Sequence, residues 1–272
     1  MPKKSELNKF YDKIFIISIY DNINRWNKVN KQFKRRGIEV ERFVAVDGRC
    51  KDQGNEGCLD KLRTFEMAYN VIISQRKNMK LQELVPASSL TIGTILILRQ
   101  MVKNKWKKVL ICEDDIELTR NIENKFKEGV KELGNTRWDL LYLGCGQKCG
   151  NKGLSWNKTK KNKRSFLSDY VDEEFYIDHP NDLRTMCEDD CTPFSKHLSW
   201  AHRPGGTWCY SISLAGAKKI LKLINNNAGN HIDQLLFKYT EEGKLRSLAF
   251  DPPIVMHEDI SQGRNTDIPW EL

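Results

Sequence analysis

The chain has 272 residues, 39% of them hydrophobic and 30% charged, with a formal net charge of +9. That composition excludes a disordered or fibrous chain and supplies enough apolar side chain for one enzyme-sized core. The positive charge is spread along the chain, so it suits nucleic acid, a membrane surface or an anionic small substrate and selects none of them.

Met1 to Glu6 leads into a mixed polar segment without the apolar stretch of a secretory signal. No part of the sequence is read as reaching the roughly 20 apolar residues of a spanning helix, so the expectation is a soluble, cytoplasmic protein, in the host cytoplasm if viral. The Lys-, Asn- and Ile-rich usage is that of an AT-rich genome, viral or bacterial.

Ile14-Phe15-Ile16-Ile17 is a β-branched and aromatic run that predicts a buried strand, followed by a polar stretch from Ser18 to Asn24. Arg25-Trp26 then opens a helical pattern with Val29 and Phe33, and Gly37 ends it. Ile38 to Val46 reads as a second strand, closed by Asp47-Gly48, which makes the opening a βαβ unit. Leu62, Phe65, Tyr69, Ile72 and Ile73 recur at helical spacing, and a further helix is predicted from about Ser89 to Trp106. Lys108 to Cys112 is another central strand, and it runs straight into Glu113, Asp114 and Asp115. An amphipathic helix through Ile122, Phe126, Val130 and Leu133 follows, then a strand from Trp138 to Leu143 that ends at Gly144.

From there the periodicity disappears, and residues about 145–205 read as an irregular, insertion-like loop within a single domain spanning 1–272. Its densest basic stretch, Lys158 to Arg164, reads as solvated. Cys145/Cys149 and Cys187/Cys191 form two C-x3-C pairs across this segment, compatible with disulfides, one structural zinc or reduced thiols. Cys50, Cys58, Cys112 and Cys209 read as packing residues. Thr207 to Ser213 then predicts a strand, Leu214 to Ile224 and Ile232 to Tyr239 two helices, and Pro252 to His257 an extended segment. The alternation of strand and helix argues an α/β fold, a mostly parallel sheet with helices on both faces.

Three adjacent carboxylates at the end of a central strand lie where open α/β sheets bind ligands. They repel one another and resist burial, so they suit a place where water or a cation compensates, and Mg²⁺ or Mn²⁺ bridged to a diphosphate is a usual partner for such oxygens. The same acids would also complement the dipole of the helix that follows.

Val109 to Asp115 resembles the acidic motif of the family-25 glycosyltransferases, among them lipooligosaccharide and procollagen galactosyltransferases. The resemblance continues in order. Ile16-Ile17-Ser18 with Arg25-Trp26 is similar to the family's opening strand and its arginine, and Ala45-Val46-Asp47-Gly48 to its A-I/V-D-G turn. Gly93-Thr94 and the apolar helix after them resemble the helix before the acidic motif. Gly206 to Ser213 with Gly216-Ala217 resembles the G-T-x-x-Y-x-I/V-S-x-x-G-A stretch, and Ile232 to Leu236 and Pro252 to Val255 resemble the last two blocks. The sequence departs where the family has Ser-His, here within Leu96 to Arg99, and where it has Asn-Leu, here Ser18-Ile19.

The resemblance implies a Rossmann-like GT-A fold, a UDP-sugar donor and a divalent cation, Mn²⁺ or Mg²⁺. It assigns the metal to Glu113, Asp115 and His257, with Asp114 at the donor. Ser18, Tyr20, Val46, Asp47 and Gly48 are expected along the nucleotide, and Arg25 as a clamp on the diphosphate. Transfer with inversion needs a base, for which Asp233 in the first turn of a helix begun by Asn230 is the candidate. Trp200, His202, Trp208 and Tyr210 are candidates to pack on sugar rings or within the core. The acceptor is expected to be a glycan or collagen hydroxylysine. Two other readings are a catalytically silent, sugar-binding member of the family and a nucleic-acid-binding protein or metal nuclease. No recognition motif or basic, aromatic-interleaved stripe supports the latter.

Overall fold

The computed structural model describes residues 4–49, 56–57, 81–146, 191–224, 231–251 and 253–257. The helix predicted around Leu62 to Ile73, the Lys158 to Arg164 stretch, and Cys50, Cys58, Cys149 and Cys187 lie outside the described residues. Cys145 is buried and has no disulfide partner among the described residues.

Helix α1 (Glu6–Phe10) is capped by Ser5, whose hydroxyl accepts from Asn8 N at 3.0 Å. Strand β1 (Lys13–Ile19) is buried along its interior, Ile14 and Ile16 facing one core and Phe15 and Ile17 the other. Helix α2 (Ile23–Arg35) turns Val29 and Phe33 inward. Gly37 adopts φ +67° and lets Ile38 N reach back to Phe33 O at 3.0 Å, so Ile38 closes the helix end against Phe33. Strand β2 is therefore shorter than predicted, Glu41–Ala45.

Helix α3 (Leu81–Asn104) begins before the predicted Ser89 and carries Pro86 inside it. Contrary to the sequence reading, Val85–Asn104 is long and apolar enough to cross a membrane by length and composition. In this fold 67% of its apolar window is buried, and Ile92, Ile95, Leu98 and Met101 belong to the core it shares with two later helices. Strand β3 (Lys108–Glu113) is followed by a short strand that periodicity does not reveal, β4 (Ile116–Leu118), then α4 (Ile122–Leu133) and β5 (Leu140–Gly146). Within the stretch expected to be irregular lie β6 (Cys191–Pro193) and β7 (Leu198–Ala201). The chain continues through β8 (Gly205–Ser213), α5 (Leu214–Ile224), α6 (Ile232–Glu241), β9 (Ser247–Phe250) and β10 (Val255–His257).

Eight strands form one sheet in the order β2-β1-β3-β8-β5-β9-β7-β6. β1 runs parallel to β2 and β3, and β5 to β9; β8 opposes β3 and β5, and β7 opposes β9 and β6. Following those directions across the sheet, six strands point one way and only β7 and β8 the other. The expected mostly parallel α/β sheet is thus present, with α3, α5 and α6 packed on one face and α1, α2 and α4 on the other. A separate antiparallel pair joins β4 to β10 and sets His257 opposite Ile116.

Candidate active site

β3 is buried on both faces from Val109 to Cys112, so its apolar run carries the chain through the core and delivers Glu113 at the sheet's edge. Parallel pairing with β1 sets Ile17 beside Glu113. The chain then turns through Asp114 and Asp115 into β4. On the α2 side, Gln32 fastens that strand, its amide donating to Ile116 O at 2.9 Å and its carbonyl accepting from Leu118 N at 3.0 Å.

β10 brings the histidine. Ile254 N donates to Leu143 O at 2.8 Å, while Thr119 donates to Ile254 O from its backbone at 3.2 Å and from its hydroxyl at 3.1 Å. Gly144 makes the crossing possible, because a Cβ built there would run into the Val255 carbonyl. His257 Nε2 consequently lies 3.2 Å from Asp115 Oδ2. One donor atom from each of Glu113, Asp115 and His257 falls within 4.8 Å of the others. Thr207 on β8 donates to Glu113 Oε1 at 2.8 Å, and the Trp208 ring sits 5.3 Å from the His257 ring. Arg25 spans the two aspartates, Nη1 at 3.5 Å from Asp114 Oδ1 and Nη2 at 3.3 Å from Asp115 Oδ2.

The charges are crowded. Burial, then the neighbouring charge of Asp115, pushes the Glu113 carboxyl up to about 7 against the opposing pull of His257 and Thr207. Burial also works against the Asp115 carboxylate. The hydrogen bond from His257 and the positive charges of His257 and Arg25 outweigh it and hold Asp115 below the ordinary carboxylate range. Asp115 Oδ1 is buried with no hydrogen-bond partner among the described residues. Such a site gains from a cation that can do for Glu113 what a proton otherwise does.

Beside this centre opens a cleft. Ser18, Arg25, Val46, Gly48 and the three acids line it, as do Asn22, Arg49 and the α3 residues Pro86, Ser89 and Leu90, which the sequence did not single out. Gly48 lies flush on α3: a Cβ there would strike Ser89 Oγ and come within 2.8 Å of Val85 O. Two expected nucleotide contacts do not line the cleft. Tyr20 is 70% exposed, and Asp47 is turned onto Arg49, accepting from its backbone N at 3.0 Å and from Nη2 at 2.9 Å. That Asx-type turn puts Arg49 at the cleft where Asp47 was expected.

Asp233 stands in the first turn of α6, whose N-cap is His231 and not Asn230. Its Oδ1 accepts from Gln234 N at 2.8 Å, and its negative charge adds a little to the upward push on Glu113 and Tyr210. Of the four aromatic candidates, Trp208 packs beside the His257 ring. Tyr210 packs on Tyr142 in the core with its hydroxyl 3.3 Å from Thr94, Trp200 packs on Phe194, and His202 bonds Thr192 at 2.7 Å. Ile97 and Leu98, where the Ser-His was expected, are fully buried.

The model of glycosyltransferase family 25 (LPS biosynthesis protein) matches residues 11–236. A glycosyltransferase 25 family member from Drosophila melanogaster is 32% identical over 152 residues, 53% of this chain and 22% of that protein. One from Aedes aegypti is 29% identical over 153 residues, 53% of this chain and 23% of that protein. The chain thus matches less than a quarter of the length of these relatives. A mannose-1-phosphate geranyltransferase from Thermus thermophilus overlaps 60% of this chain and 49% of its own at 10% identity and a TM-score of 0.23, too slight a likeness to bear on fold or function.

Proposed function

Because the chain belongs to glycosyltransferase family 25, we propose that it moves a hexose, galactose or glucose, from a UDP-sugar to a hydroxyl on a glycan or a collagen-like acceptor, with inversion and with Mn²⁺ or Mg²⁺. The observation that carries this reading is the convergence of Glu113, Asp115 and His257 at the tip of β3, beside an open cleft. The donor set fits a divalent ion: two carboxylates and one imidazole, with Asp115 Oδ1 buried and still able to accept. The imidazole favours Mn²⁺ over Mg²⁺, which prefers oxygen.

Glu113, Asp115 and His257 would hold the ion, and Thr207 and Trp208 hold two of those ligands in place. A bound cation would neutralise the diphosphate as the bond between sugar and phosphate breaks. Arg25 lies across Asp114 and Asp115 on the wall of the cleft, where its guanidinium adds positive charge toward the phosphates. Ser18, Val46 and Gly48, with Pro86 and Ser89 opposite, form the wall for the nucleoside. Asp233 takes the proton of the incoming hydroxyl; with Oδ1 committed to Gln234 N, Oδ2 is the accepting atom.

A panel of UDP-sugars with Mn²⁺ or with chelator, read by UDP release and thermal stabilisation, tests the whole reading. Release from at least one UDP-hexose, lost with chelator, is expected. Asp233→Asn is expected to keep UDP and Mn²⁺ binding and to lower turnover by about 10² to 10⁴; near-normal turnover removes the base assignment.

A further inference from the structure

One wall of the cleft comes from the short loop between β1 and α2. Ser18, Ile19 and Asn22 line the cleft between β1 and α2, and the loop's own backbone bonds are Asn22 N to Ile19 O at 2.9 Å and Ile23 N to Asp21 O at 2.8 Å. A second support comes from the edge strand β2. Arg42, opposite Ile16 in the parallel ladder, sends Nη2 to Ile19 O at 2.7 Å, to Tyr20 O at 2.9 Å and to Ser18 Oγ at 3.3 Å. Its guanidinium carbon lies 5.7 Å from the centre of the Trp26 ring. Trp26 neighbours Arg25, so one side chain ties together the loop and the helical turn that carries the arginine of the acidic centre.

We propose that Arg42 is a positioning residue for nucleotide binding, latching Ser18 to Asn22 in the shape that forms one wall of the donor cleft; this rests on the donor reading above. Three acceptors on three successive residues meet one guanidinium nitrogen, and the cationic group lies within cation–π reach of an indole ring. Charge-assisted donors to backbone carbonyls make that arrangement stronger than the loop's own turn. Unlatched, the loop samples other shapes, and apparent affinity falls in proportion to the fraction that keeps the competent one. The metal ligands belong to β3, the turn that follows it and β10, outside the Ser18 to Asn22 loop, so the defect is specific to nucleotide.

The test uses the wild type, Arg42→Met, which keeps an apolar stem but donates nothing, and Arg42→Lys, which restores a cationic donor without the guanidinium fork. If the latched loop drops to a tenth of the population, UDP binding by calorimetry weakens about tenfold in Arg42→Met, with partial recovery in Arg42→Lys. Donor KM rises by more than kcat falls, amide exchange at residues 19–22 speeds up, and Mn²⁺ affinity without nucleotide stays at the wild-type value. UDP binding equal in wild type and Arg42→Met overturns the role of Arg42 and leaves the donor reading standing. A wild type that binds no UDP overturns the donor reading and this assignment together. A parallel loss of Mn²⁺ affinity in Arg42→Met makes the residue a general support of the fold and also overturns the proposal.

Discussion

Asp139 and Asp115 are buried almost equally, 3% and 5% exposed, and the fold treats them in opposite ways. Asp139 sits where β5 begins, and its Oδ2 accepts from Lys219 Nζ at 2.7 Å and from Arg246 N at 2.9 Å. Glu132 on α4 is served similarly by the Ser195 hydroxyl, by His197 N at 2.9 Å and by His197 Nδ1 at 2.6 Å. At the tip of β3 the fold brings in more acid than donor. Asp115 keeps a buried oxygen without a hydrogen-bond partner among the described residues, and burial, then the charge of Asp115, pushes the Glu113 carboxyl up to about 7. A carboxylate that fastens the chain is supplied with donors by the chain; one held ready for a ligand keeps accepting capacity to spare, at a cost in stability.

The strongest test of that contrast is Asp115→Asn. It removes the charge that a cation would meet and keeps a side chain of nearly the same size, so activity and Mn²⁺ binding are lost, turnover by about 10² or more, while a cooperative melting transition is kept. Asp139→Ala is its mirror. Leaving Arg246 N and Lys219 without their acceptor costs about 1–3 kcal/mol in denaturant unfolding, with Mn²⁺ affinity kept. If Asp115→Asn unfolds the protein and Asp139→Ala does not, the distinction between the two regions is gone.

Gly144→Ala asks whether the third ligand depends on a backbone crossing. The new methyl group displaces Val255 and with it His257, two residues on, so Mn²⁺ affinity falls about tenfold by titration, in the range seen when supporting groups of a ligand are lost. Unchanged affinity would mean that β10 adjusts without moving the imidazole. The smallest effect belongs to Glu132. Desolvation alone would raise its carboxyl, but hydrogen bonds from Ser195 and His197 hold it below the ordinary range. A depressed acid adds stability above its unfolded pKa and loses it as pH falls through the folded one. Wild type should therefore shed more stability on acidification below about pH 4.5 than Glu132→Gln does; parallel pH curves would deny the bracket any such contribution.

Much of the frame was legible locally. The apolar runs of β1 and β3 are long enough to read, and the amphipathic patterns of α2, α4, α5 and α6 match the helices found, because each buries one face with a regular period. The strands that escaped are short: β4, β6, β7 and β9 have three or four residues each, too few for alternation to register. In the site, the acids were visible because three in a row after a buried strand are unusual. Tyr20 and Asp47 do not line the cleft because a turn decides which of its side chains face inward, and here Asp47 bonds Arg49 instead. Thr207 and Gln32 gave no signal by themselves, since one hydroxyl or amide in a strand or helix looks like any other.

By itself the sequence determined that a buried strand would end in Glu113, Asp114 and Asp115 at the edge of an α/β sheet, because hydrophobic period and local turn chemistry are written within a dozen residues. Only the tertiary structure decided what meets them. Arg25 arrives across 90 positions, Thr207 across 94 and His257 through the β4–β10 ladder. Those meetings depend on which strands share a ladder and where Gly144 and Gly48 allow two backbones to touch, and contacts between distant segments leave no trace in the period of either one.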